Sequence, residues 1–173
     1  MKHGYCLLYF TTLHHLLRGN ALNIIALGNW YNKDGDYSKA LEFASSIEEY
    51  AAIFGLDFVC TVGSNFSPKG VLAVDDQIWS TGWRNLYANN LNIPWYPVLG
   101  EDDYRGGSIG AKAQIARYVL NLDMGLWNMQ NFEYRINVAI SPSSNVSVVF
   151  LDTNPLVESS GGKSSYLQHS RST

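Results

Sequence analysis

The sequence predicts an α/β fold organised on a parallel sheet. Three apolar stretches each run into a glycine followed by a polar residue. Ile24-Ile25-Ala26-Leu27 meets Gly28-Asn29, Val59-Cys60-Thr61-Val62 meets Gly63-Ser64, and Pro97-Val98-Leu99 meets Gly100-Glu101. Sequence of helical period separates them. Parallel sheets bind ligands outside the carboxyl ends of their strands. Asn29, Ser64 and Glu101 to Asp103 are therefore expected on one rim.

The elements follow in order. Asn23 to Leu27 is the first strand, and a polar loop from Asn32 to Asp36 follows it. Ser38 or Asp36 caps the first helix. Its apolar positions Ala40, Phe43, Ala44, Ile47, Tyr50, Ala51 and Phe54 keep the spacing of a helix that covers a sheet. Glu42, Glu48 and Glu49 take the water side, and Gly55 is the stop. Leu56 to Val62 is strand two. After a loop from Ser67 to Val74, Asp75 or Asp76 opens a second helix with Ile78, Trp79, Trp83, Leu86 and Tyr87 inward. Gly82 weakens that helix by about 1 kcal/mol relative to Ala. Ile93 to Leu99 is strand three, and its two prolines suggest a place near a sheet edge. Gly106-Gly107 leads to a third helix from Ser108 to about Leu120. Phe132 to Ile140 and Val146 to Leu151 alternate like strands around a turn at 141–145, an antiparallel hairpin beside the parallel part.

At 173 residues the chain suits one domain with a core. Lys and Arg number 12 against 15 Asp and Glu, with no basic block, so nothing marks a nucleic-acid surface. Residues 1–21 read as a signal peptide: Lys2, an apolar run through Leu17, then Gly19-Asn20-Ala21 as a cleavage site, although His14, His15 and Arg18 interrupt it. Removing that segment leaves Cys60 as the single cysteine, so there is neither a disulfide framework nor a CxxC metal site. Asn65-Phe66-Ser67 and Asn145-Val146-Ser147 are glycosylation sequons. The second, near the hairpin turn, is the better candidate. Residues 158–173 are rich in Ser, Gly and Lys and are expected to be disordered.

Several motifs resemble one family in order and spacing. Leu27-Gly28-Asn29-Trp30, Val62-Gly63-Ser64-Asn65-Phe66, Trp79 with Trp83-Arg84-Asn85-Leu86-Tyr87, Pro94-Trp95-Tyr96-Pro97-Val98-Leu99-Gly100, and Asn145 to Thr153 are similar to the purple, tartrate-resistant acid phosphatases. These are calcineurin-like metallophosphoesterases. The resemblance covers residues 22–157 and implies the N-terminal part of a four-layer αββα sandwich whose C-terminal half is missing. A sheet left uncovered in that way is expected to aggregate, as the product of a truncated gene or a mis-spliced transcript would.

The resemblance also implies which positions carry the family's dinuclear iron, zinc or manganese site. Asn29 stands where the family has an aspartate ligand. Ser64 stands for the metal-bridging aspartate and Ser67 for a tyrosine ligand. Gly100-Glu101-Asp102-Asp103 replaces Gly-Asn-His-Asp, so only Asp103 matches. The four histidines are His3, His14, His15 and His169, and none lies in residues 22–157. A histidine-ligated metal site or a histidine acid is therefore not expected there, and no cofactor is expected. Asn29, Ser64, Ser67, Glu101, Asp102 and Asp103 are read as a degenerate site. Glu101 to Asp103 is expected as a solvated acidic turn that Asp103 ties with hydrogen bonds, rather than a Mg²⁺ or Ca²⁺ site.

Gly-Ser-Asn-Phe, with Trp-Arg-Asn-Leu-Tyr downstream, is similar to the glideosome-associated branch of the family. That likeness implies a non-catalytic scaffold in the secretory pathway or inner membrane complex, with the proteins of a membrane-associated motor complex as partners. The alternatives are a metal-dependent acid phosphatase completed in a longer form, and a carbohydrate- or cation-binding module.

Overall fold

The computed structural model describes residues 21–154. The segments read as signal peptide and disordered tail lie outside the described residues, apart from Ala21. Strands β1 (Ile24–Leu27), β2 (Phe58–Thr61) and β3 (Trp95–Tyr96) form a parallel sheet in that order. Helix α1 (Tyr37–Phe54) connects β1 to β2. Helix α2, a π-wound stretch Trp79–Ala88 finished by Asn89–Leu91, lies between β2 and β3. Then come α3 (Glu101–Arg105), α4 (Gly107–Val119) and the antiparallel pair β4 (Glu133–Ser141) and β5 (Ser144–Leu151).

The register assigns each sheet row to a face. Ile25, Val59 and Trp95 share a row, and so do Ala26, Cys60 and Tyr96. Val59 and Trp95 are fully buried in the aromatic core. On the other face Tyr96 lies 5.9 Å from Phe150, which stacks on Tyr134 at 4.6 Å. The Tyr134 hydroxyl donates to Pro97 O at 2.7 Å, fixing the hairpin to the end of β3. Phe66 sits centrally among the indoles, 5.1 Å from Trp30 and 4.9 Å from Trp79. Trp127 completes the group at 4.9 Å from Trp79 and 5.1 Å from Trp83.

Several expectations need correction. Strand three is two residues long, because Pro94 and Pro97 flank it and neither has an N–H to donate to a ladder. Its outer edge is closed: Trp95 N donates to Leu126 O at 2.7 Å, and Asn128 N to Trp95 O at 2.8 Å. Helix one is capped by Asp36, which accepts from Ser38 N at 2.9 Å. Ala40, Ala44, Ile47 and Ala51 point inward, but Phe43, Tyr50 and Phe54 are exposed. Their spacing is helical, yet they lie on a flank beyond the sheet that the helix covers.

Helix two is π-wound where an ordinary helix was expected. The wider turn buries Trp79, Gly82, Trp83, Leu86, Tyr87 and Ala88 together. Asp76 is its opening residue, accepting from Ile78 N at 3.0 Å and Leu72 N at 2.8 Å. Gly82 is there for space: a Cβ would come within 2.7 Å of the Tyr31 ring. The hairpin turn is tighter than expected, since only Pro142 and Ser143 lie between the strands, and Asn145 pairs with Ala139.

Candidate functional site

The three strand ends converge as the glycine turns require. Asn29 N donates to Gly63 O at 3.1 Å, tying the first turn to the second. The third turn packs on the second so closely that a Cβ on Gly100 would sit 2.0 Å from Ser64 N. Asn29 and Ser64 both occupy the left-handed region, with φ of 48° and 50°. Asn tolerates that conformation through its short polar side chain; Ser tolerates it less well.

Four of the expected residues form one chain of contacts. Ser67 Oγ lies 2.5 Å from Asn29 Oδ1 and also against Asp102 Oδ2. One hydroxyl hydrogen cannot serve two acceptors. The count closes if the Asn29 amide turns over, so that its NH₂ donates to Ser67 and Ser67 donates to Asp102. Asp102 Oδ1 then pairs with Arg105 Nη1 at 2.9 Å. Asp102 N is 3.5 Å from Ser64 Oγ, which joins Ser64 to the group. Arg105 also binds Glu101 at 2.7 Å, which with Asp102 holds its guanidinium above the usual arginine range.

Asp103 does not share this rim, although it was expected there. It is fully buried, and the acidic turn is helical rather than a solvated loop. Its carboxylate accepts from Asn65 N at 2.9 Å, Gly100 N at 2.9 Å, Gln114 Nε2 at 2.9 Å and Phe66 N at 3.3 Å. Burial pushes its pKa up, and the four N–H donors oppose that shift.

No local pattern in the sequence marks the hub beside it. Asn65, read there as half of a sequon, is fully buried. Its Oδ1 accepts from Trp30 Nε1 at 3.1 Å and Thr61 Oγ1 at 2.6 Å. Its Nδ2 donates to Val98 O at 2.9 Å and Gln114 Oε1 at 3.1 Å. No hydrogen-bonding capacity is left over, and a glycan has no room there. Asn145, the other sequon, is exposed on β5. Also unforeseen are the Tyr104 to Asp152 hydrogen bond, which ties α3 to the end of β5, and the buried Asp123. That carboxylate takes Arg117 at 2.6 and 2.7 Å and also pairs with Arg84.

Set beside known proteins, the chain is 30% identical over 138 residues to purple acid phosphatase 3 of Arabidopsis thaliana, across 79% of this chain and 34% of the relative. It is 30% identical over 140 residues to human tartrate-resistant acid phosphatase type 5, across 77% of this chain and 41% of the relative. Over this stretch the chain is similar to the purple acid phosphatases. It spans about a third to two fifths of the length of these curated relatives. No protein-family model matches it. A solved structure described as GAP50, the anchor in the inner membrane complex of Plasmodium, superposes with a TM-score of 0.60 at 23% identity. The superposition covers 80% of this chain and 44% of that one, and shows the shared metallophosphoesterase fold.

The dinuclear centre that the purple acid phosphatase resemblance implies does not fit these residues. Two metal ions about 3.5–4 Å apart need an anionic bridge. Ser64 and Asn29 are neutral. Asp102 is engaged by Ser67 and Arg105, and Asp103 turns inward onto N–H groups. Among the described residues, no three His, Cys, Asp or Glu side chains are grouped so as to hold a metal ion.

Proposed function

We propose that this chain is a non-catalytic scaffold of the purple acid phosphatase fold. It enters the secretory pathway and serves a membrane-associated assembly, as the anchor role of the Plasmodium neighbour suggests. One observation carries the proposal: the rim is closed by its own side chains. Asn29, Ser67, Asp102 and Arg105 bind one another where two metal ions and a phosphate would need open, charged ligands. Rebuilding such a centre requires breaking this chain as well as adding ligands. The proposed association runs through protein partners; among the described residues no helix is long and apolar enough to cross a membrane.

The test is metal content by mass spectrometry together with phosphomonoester hydrolysis, on protein purified from its own source. The scaffold reading expects neither bound metal nor turnover. About two equivalents of iron, zinc or manganese, with metal-dependent hydrolysis, would establish instead an acid phosphatase whose centre a longer form completes.

A further inference from the structure

Helix α3 is five residues long, and three of them in a row reach three separate parts of the fold. Asp102 binds Ser67 at the rim, where Ser67 also meets Asn29 at 2.5 Å. Asp103 takes Asn65 N and Gln114 Nε2, each at 2.9 Å, in the interior. The Tyr104 hydroxyl donates to Asp152 Oδ2, one residue past β5.

The contact at Asp152 leads back to the start of the helix. Asp152 Oδ1 accepts from Asn154 N at 2.9 Å and from Asn154 Nδ2 at 2.8 Å. The same Nδ2 donates to Leu99 O at 3.2 Å. Leu99 stands directly before Gly100, the N-cap of α3. The end of the hairpin therefore grips α3 twice, once just before its first turn and once at Tyr104. Asp152 is buried, and both of its carboxylate oxygens are engaged.

The mounting of α3 leaves no slack. A Cβ on Gly100 would come within 2.0 Å of Ser64 N. One on Gly70 would come within 2.8 Å of the Asp103 backbone, and one on Gly106 within 2.6 Å of Lys69 O. Backbone lies on backbone at the start, middle and end of the helix, with no side chain between to yield. An element packed in this way shifts as a unit, because a close-packed interior does not deform by degrees.

We propose that α3 couples the rim to the hairpin. Opening the Asn29–Ser67–Asp102 chain loosens the anchor at Asp152, and releasing that anchor loosens the rim. Ser67 and Tyr104 are positioning residues at the two ends of this device. The coupling is reciprocal, since a free energy shared by two sites acts equally in both directions. A polar group that drew Ser67 or Asp102 away would thus be felt at the end of β5. The scaffold proposed above gains a way to report at its hairpin what is bound at its rim. This step rests on the closed rim of that reading and not on the lack of turnover.

Hydrogen exchange of the full chain, read by mass spectrometry, tests the coupling with one variant at each end. Ser67→Ala breaks the rim chain, and Tyr104→Phe breaks the hairpin anchor. Ser67→Ala is expected to speed exchange of the 148–152 amides about tenfold, and Tyr104→Phe that of the 62–66 amides by a similar factor. Amides of α1, which takes part in none of these contacts, keep their rates. The double variant exchanges less than the product of the two single effects predicts. Acceleration confined to the mutated end in both variants overturns the proposal, as do single effects that simply multiply. Where α1 also accelerates, Asn29→Gly replaces Ser67→Ala, because it drops the amide without straining the left-handed backbone at that position. Uniform acceleration in that variant too overturns the proposal. Metal-dependent hydrolysis would sink the scaffold reading alone, since the exchange pattern is read independently of turnover.

Discussion

Asp103 reaches across 38 residues to take the backbone N–H of Asn65 at 2.9 Å. The same carboxylate holds Phe66, Gly100 and Gln114, so it joins the second and third strand ends to α4. Asp103→Ala strands three backbone donors, two of them buried, and the Gln114 amide. The expected loss is about 3–5 kcal/mol, read from urea unfolding. A change under 1 kcal/mol would mean that water takes over the role.

Burial raises the Asp103 pKa above the value it has in the unfolded chain. Its favourable contribution is then fully present below the unfolded pKa, about 4, and is lost as pH rises through the folded value. Asp103→Asn removes this titration. Wild-type stability should therefore fall relative to the Asn variant as pH is raised from about 3, then level off. Parallel stability curves for the two proteins would contradict the assignment.

Gly82→Ala sets two effects against each other. Alanine gains about 1 kcal/mol in a helix interior. The new Cβ would lie 2.7 Å from the Tyr31 ring, which is itself buried, and overpacking of that kind costs about 1–3 kcal/mol. The net expectation is a loss of about 1 kcal/mol, measured as a lower denaturation midpoint. A stabilised variant would show that Tyr31 moves aside freely.

Trp127→Ala removes an indole packed on Trp79, Trp83 and Phe66, and its Nε1 donor to Gln114 O at 3.1 Å. Truncating a buried tryptophan costs about 3–5 kcal/mol. Because the strand bridge from Trp127 closes the β3 edge, the variant should also lose amide protection around Trp95. Full protection there by hydrogen exchange would separate the two roles.

The proposed secretory passage makes a further expectation. Of the two sequons, Asn145 is exposed and Asn65 is buried with both amide atoms engaged. Expression through a secretory host should give one glycan, removed by Asn145→Gln. A glycan retained in that variant would mean Asn65 is reached before the chain folds.

Much of the scaffold was legible because it obeys periodicity. The first and third helices, the hairpin and the glycine turns each follow from spacing and turn chemistry; the turns placed Asn29, Ser64 and Asp102 together, and the family resemblance added Ser67. What was hidden depends on partners distant in sequence. Periodicity placed Phe43, Tyr50 and Phe54 on an apolar stripe but could not say how wide the sheet beneath it is. Nothing local distinguishes Asn65 the sequon from Asn65 the hub, since its partners are Trp30, Thr61, Val98 and Gln114. The π-winding of α2 was unreadable for a similar reason, as it answers to the indoles packed around it.

Asp103 is the one of the degenerate positions that matches the family pattern. Its geometry here is that of a strut, with every carboxylate bond going to the protein's own N–H groups. The fold draws on such a residue whether or not the chain turns over a substrate. An aspartate at position 103 therefore speaks for folding and not for activity. A survey of relatives that counted it toward activity would mistake architecture for chemistry.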